Sequence, residues 1–146
     1  MAPQSSTEAG LMAQRIAQRR QAMLQEFGFF TAEELAAHHG YAQSPDALIA
    51  GWRQDHRIFG VPNSDLMADA VEIYPKFQFH GCEPLPVVQA VVQRFAKAGK
   101  DGWPLAMWFV SNNGWLPKAA RPVDLLHITP DEVLVAADRD AQGNAT

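Results

Sequence analysis

Apolar and polar positions alternate in blocks of recognisable period along the chain. Leu11, Met12, Ile16, Met23, Leu24 and Phe27 recur at helical spacing with Arg15, Arg19 and Arg20 between them, and Gly28 follows. This predicts an amphipathic helix with a basic flank. The preceding residues 1–10 (MAPQSSTEAG) are small and polar and are expected to form a disordered tail. In TAEELAAHHG, Thr31 stands three residues before Glu34, the spacing of a capping box, and Gly40 is placed to end the helix. Ser44 and Pro45 start a second short helix, with Leu48, Ile49 and Trp52 on its apolar side. The next apolar runs, IFGVP and VEIYPKFQF, combine β-branched and aromatic residues with Gly and Pro too close for a helix. They predict a β-hairpin with residues 63–70 as its tip or loop. Phe77 and Phe79 would then share one strand face and Lys76 and Gln78 the other, while Pro75 argues against a central strand.

Beyond His80 and Gly81 the period becomes helical again. A helix is expected after Pro84 and Pro86, through Val88, Val91, Val92 and Phe95 to Gly99. Pro104 opens another with Leu105, Trp108 and Phe109, and Asn112-Asn113-Gly114 turns the chain. Pro122 begins a short helical piece through Val123, Leu125 and Leu126. Thr129-Pro130-Asp131-Glu132 repeats the capping logic before a last helix through Val133, Leu134 and Ala137, and residues 141–146 are expected to fray. The fold class is α+β, mainly α. A helix-turn-helix with a small β-hairpin wing spans residues 11–80, and a C-terminal helical domain spans 81–140.

Composition narrows the class. With 47% hydrophobic and 19% charged residues in 146, the chain has material for one compact domain or two small ones sharing a core. No apolar run approaches the roughly 18 residues of a membrane span, so a cytoplasmic protein without membrane contact is expected. Cys82 is the single cysteine, which excludes an intrachain disulfide and suits a reducing compartment. Sixteen acids against twelve Lys and Arg leave a formal charge of -4, and neither half is basic. Strong nonspecific phosphate binding is disfavoured, although a local stripe of arginines remains compatible with DNA.

The order helix, turn, helix, hairpin makes Arg53, Gln54, His56 and Arg57 the candidate DNA contacts. The same residues equally describe the solvated side and exit of an amphipathic helix. His80 and Cys82 form only half of a zinc site, and His38 and His39 suit a helix C-terminus, so no metal and no cofactor is expected. No nucleophile elbow, phosphate loop or dinucleotide fingerprint occurs, and Cys82 reads as a buried, inert thiol, so the chain is expected not to be an enzyme. Trp103, Trp108 and Trp115 fall close together. Core packing accounts for most of this aromatic content, while an exposed Trp115 or Leu116 beside Arg121 would mark a partner site.

The stretch WPLAMWFVSNNGWLPKAARPVDLL, from Trp103 to Leu126, followed by a capped helix, resembles the toxin-binding C-terminal domain of Xre/MbcA/ParS-type antitoxins. GWRQDHRIFGVP and IYPKFQFHGCEPLPVV resemble the middle of stand-alone bacterial relatives, and the likeness spans about residues 29–137. The front end is not a full five-helix Xre domain and is closer to a MerR-like or excisionase-like winged fold. The resemblance implies a homo-oligomeric antitoxin that binds a RES-domain, NAD-consuming toxin and represses its own operon by binding operator DNA. It also implies that Trp115, Leu116, Arg121, Pro122, Asp124, Leu125 and Leu126 form or support the partner face. An ion pair of Arg121 with Asp124 within one turn gives that motif an equally good structural role. A sequence-specific DNA-binding regulator and an immunity protein for a secreted effector are the alternatives. Residues Tyr74 to Phe79 suggest only a strand with a buried aromatic face.

Overall fold

The computed structural model describes residues 4–40, 44–63 and 71–145. It is mainly helical with small antiparallel sheets. Helix α1 (Gln4–Phe27) leads through strand β1 (Phe29–Phe30) to α2 (Ala32–His38) and α3 (Pro45–Gln54). Strands β2 (Val61–Pro62) and β3 (Glu72–Pro75) follow, then β4 (Phe79–His80) and β5 (Glu83–Pro84). The C-terminal half consists of α4 (Pro86–Lys97), α5 (Gly102–Val110), α6 (Pro122–Leu125) and α7 (Pro130–Ala145).

Local chemistry sets most of these boundaries. The Thr31 hydroxyl accepts from the Glu34 amide at 3.2 Å while the Thr31 amide donates to Glu34 Oε1 at 3.0 Å, completing the expected capping box. Ser44 Oγ accepts from the Ala47 amide, with Pro45 in the first turn where its missing N–H removes no bond. The connection at residues 41–43 and most of the expected hairpin tip, residues 64–70, lie outside the described residues. The hairpin itself forms, pairing Val61 with Ile73 and Pro62 with Glu72.

Five expectations are corrected. Helix α1 starts at Gln4, inside the segment expected to be a tail, and α7 continues to Ala145, so the chain ends are helical rather than frayed there. Strand β3 is central, flanked by β1 and β2; Pro75 is tolerated because it is the last residue of the strand, beside Phe29. The strand does not run on to Phe79, because a 3-10 turn at Lys76–Gln78 separates β3 from β4. That turn sends Phe77 and Phe79 into different clusters and buries Gln78 completely. Finally, Thr129 does not cap α7 with its side chain: its buried hydroxyl has no hydrogen-bond partner, and only its carbonyl receives the Glu132 and Val133 amides.

Two apolar clusters hold the molecule. The larger joins Met23 of α1, Phe59, Val61 and Ile73 to α4, α5, α6 and α7; Phe59 and Phe109 stack with centroids 5.6 Å apart. The smaller gathers Leu35, Ile49, Trp52, Ile58, Tyr74 and Phe79 under α2 and α3. The division between them does not fall at residue 80, since α1 and the hairpin contribute to the larger cluster. Gly60 sits where a Cβ would lie 2.3 Å from the Glu72 side chain, so the Glu72 carboxylate arm packs over a position without a side chain.

Candidate functional site

The turn after α5 is organised by one buried amide. Asn113 Oδ1 accepts from the Trp115 backbone N–H at 2.9 Å, and Asn113 Nδ2 donates to Asp140 Oδ2 at 2.9 Å. Asp140, on α7, also accepts from the indole N–H of Trp108 at 2.7 Å and of Trp115 at 3.0 Å. One carboxylate thus orients two tryptophans and the turn between them. The Arg139 guanidinium lies 5.2 Å from the Trp115 ring centroid, a cation–π distance. Trp115 is therefore held in a defined pose although it is 57% exposed. Its ring forms one wall of a groove of about 470 Å³ completed by Leu116, Pro117, Asp131, Glu132 and Val135. Ile128, 73% exposed, precedes α7.

The residues expected at the partner face divide into two groups. Leu116 is 4% exposed, and Pro122 and Leu126 are also buried, so these three belong to the core and not to an open surface. Leu125 is half-buried against the same cluster. Trp115, Asp124 and part of Arg121 reach solvent. Arg121 turns to α1: it donates to Glu26 through Nη1 and Nη2 at 3.1 and 2.8 Å, and to Asp124 through Nε and Nη2 at 2.9 and 3.1 Å. The guanidinium also sits 5.6 Å from the Phe27 ring. These hydrogen bonds, to Glu26 first and Asp124 second, push the Arg121 pKa above its ordinary value, and the bond from Arg121 pulls that of Glu26 below its own. The expected pair with Asp124 forms, and Glu26, far off in sequence, joins it. Asn113, Asp140 and Glu26 carried no short-range signal; a lone Asn or Asp in a polar-looking stretch does not reveal the donor it will meet.

The candidate DNA contacts occupy the end of α3 and the residues after it. Arg53 Nη2 lies 3.3 Å from Asp101 and 3.9 Å from Glu72, so it fastens α3 to the hairpin and to the start of α5. Gln54 and His56 are exposed, His56 with a φ of 58°. Arg57 lies over Trp52 at 5.8 Å. Gln54, His56 and Arg57 thus lie around the exposed helix exit, while Arg53 already has carboxylate partners.

Among the histidines, His39 has polar partners. His39 Nε2 is 2.9 Å from the Cys82 carbonyl, Nδ1 is 3.6 Å from Glu83, and the ring meets Trp52 edge-on. His80 is near His127, with ring centroids 6.3 Å apart. Among the described residues no group of three or more His, Cys, Asp or Glu side chains is placed to hold a metal. Cys82 is half-buried rather than buried, and partial burial raises its thiol pKa.

No protein-family model, no curated protein and no solved structure matches this chain. Among the described residues no helix is long and apolar enough to cross a membrane.

Proposed function

We propose that this chain is a non-catalytic cytoplasmic binding protein that neutralises a cognate protein toxin, in the manner of the antitoxins it resembles. In this reading α4 to α7 form the toxin-binding domain, and the target is a RES-type, NAD-consuming enzyme. The observation that carries the reading is Trp115: an exposed indole fixed by Asp140 and Arg139 beside an apolar groove. A side chain already restrained loses little rotamer freedom on binding, and tryptophan is among the residues most enriched at binding hot spots. Occlusion of the toxin's active-site entrance requires no chemistry from this chain, only an interface of roughly 1,600 Å².

The test is co-expression with the toxin, with affinity measured on the purified pair. Trp115→Ala is expected to weaken binding roughly 30-fold or more, the consequence of losing a hot spot of about 2 kcal/mol, while leaving helical circular dichroism unchanged. Wild-type affinity in that variant would remove Trp115 from the interface and the reading with it.

The order of α2, α3 and the β2–β3 hairpin favours a second reading, a winged helix-turn-helix bound to operator DNA. Gln54 would then read a base, and His56 and Arg57 would contact phosphates. Arg57→Ala should lower affinity uniformly across sequences and reduce the salt slope by about one, whereas Gln54→Ala should relax sequence preference.

A further inference from the structure

Every side chain from Glu8 to Arg19 of α1 is exposed, and the helix first enters the larger core at Met23. Ile16 reaches only the rim of a hollow beside Trp103, Pro104 and Met107. The stretch is an extension of a helix anchored from Met23 onward; it meets the body through Arg19, whose Nη2 donates to Ser111 Oγ at 3.3 Å, and leaves Leu11 and Met12 to solvent. It carries an apolar seam, Leu11, Met12 and Ile16, with Met12 56% exposed. Arg15 and Arg19, three and seven residues beyond Met12, border that seam, and docking would exchange the Arg19 bond to Ser111 for one to a carboxylate.

The groove at Trp115 is its complement. Val135, 53% exposed, and Trp115 supply apolar walls, and Asp131 and Glu132 stand on the rim. Neither carboxylate has a basic partner among the described residues. Pairing one arm with the arm of a second copy would instead bring Arg15 and Arg19 of both chains together with only Glu8 to offset them.

We propose that the α1 arm of one copy docks in the Trp115–Val135 groove of a second copy. Met12 and Ile16 fill the groove, and Arg15 and Arg19 face Asp131 and Glu132. Reciprocal docking closes a two-fold dimer with two equivalent contacts. This proposal does not rest on the toxin reading, and the two occupants exclude one another: a toxin seated over Trp115 displaces the arm from the groove.

Disulfide trapping on the full chain tests it, with Cys82→Ser in every variant. A Met12→Cys chain mixed with a Val135→Cys chain is expected to give a mixed disulfide dimer, and neither chain is expected to cross-link alone. Self-cross-linking of Met12→Cys, or no mixed dimer, overturns the proposal. Sedimentation gives the independent arm: Arg15→Glu with Arg19→Glu, or Asp131→Lys with Glu132→Lys, should each weaken association roughly 30-fold, what loss of two exposed ion pairs at each of two equivalent contacts amounts to. All four changes in one chain should restore association, and failure to restore it refutes the pairing. Because acids in the first turn favour a helix, Asp131→Asn with Glu132→Gln replaces the lysine pair if circular dichroism shows α7 shortened.

Discussion

Gln78 offers the sharpest test of how the hairpin is held. Both it and Phe59 are completely buried. Its Oε1 accepts from the Phe59 N–H at 2.9 Å and its Nε2 donates to the Phe59 carbonyl at 2.9 Å, a side chain standing in for a strand 19 residues away. Gln78→Leu keeps the approximate volume and strands both backbone groups in an apolar interior. Each orphaned group costs about 1–3 kcal/mol, so the loss should be about 2–6 kcal/mol out of a total of roughly 5–15. Urea unfolding followed by tryptophan fluorescence measures it, and Tm should fall by roughly 2–4 °C per kcal/mol for a chain of this size. Gln78→Glu separates the two bonds. It keeps the acceptor for the Phe59 N–H, but its protonated form alone can donate to the Phe59 carbonyl. Burial and that carbonyl raise its folded pKa above the unfolded value of about 4.3. Its stability is therefore fully present below that value and lost as pH rises through the folded pKa. A Gln78→Leu variant within about 1 kcal/mol of wild type, or a Gln78→Glu variant with the wild-type pH profile, would refute the reasoning.

Thr129→Val removes a buried hydroxyl that has no partner and should raise stability by about 1 kcal/mol, read as a higher urea midpoint at unchanged slope. Glu26 has its folded pKa lowered chiefly by the Arg121 hydrogen bonds, so its contribution is present above its unfolded pKa and disappears as pH falls through the lowered value; Glu26→Gln should flatten that acid limb of a stability–pH curve. Gly60→Ala pushes the flexible Glu72 arm aside and takes its carboxylate from Arg53, a partly exposed pair at 3.9 Å, which should lower stability by less than about 1 kcal/mol in the same unfolding assay.

What was legible in the sequence was whatever depends on neighbours a few residues apart. The Thr31–Glu34 box, the Ser44–Pro45 start, the β2–β3 hairpin and the α6 turn all follow from such short-range rules. Strand β1 escaped because two residues, Phe29 and Phe30, carry no period, and only their pairing with β3 makes them a strand. Gln78 read as an outward residue because alternation was extended through a turn that resets it. At the candidate site, Trp115 stood out as a large aromatic beside a turn. Asp140 did not, since its role depends on three donors from the turn and from α5 that meet only in the folded chain. The Thr129 cap failed for a related reason: the spacing is right, but the hydroxyl faces the interior.

Strand β3 places Ile73 in the larger cluster and Tyr74 in the smaller, and the turn beyond repeats the division with Phe77 and Phe79. One extended segment is thus a party wall between two interiors. Neither interior can melt without stripping a face from that wall, so the chain should lose both in a single cooperative step, and fragments separated near residue 80 should not fold apart.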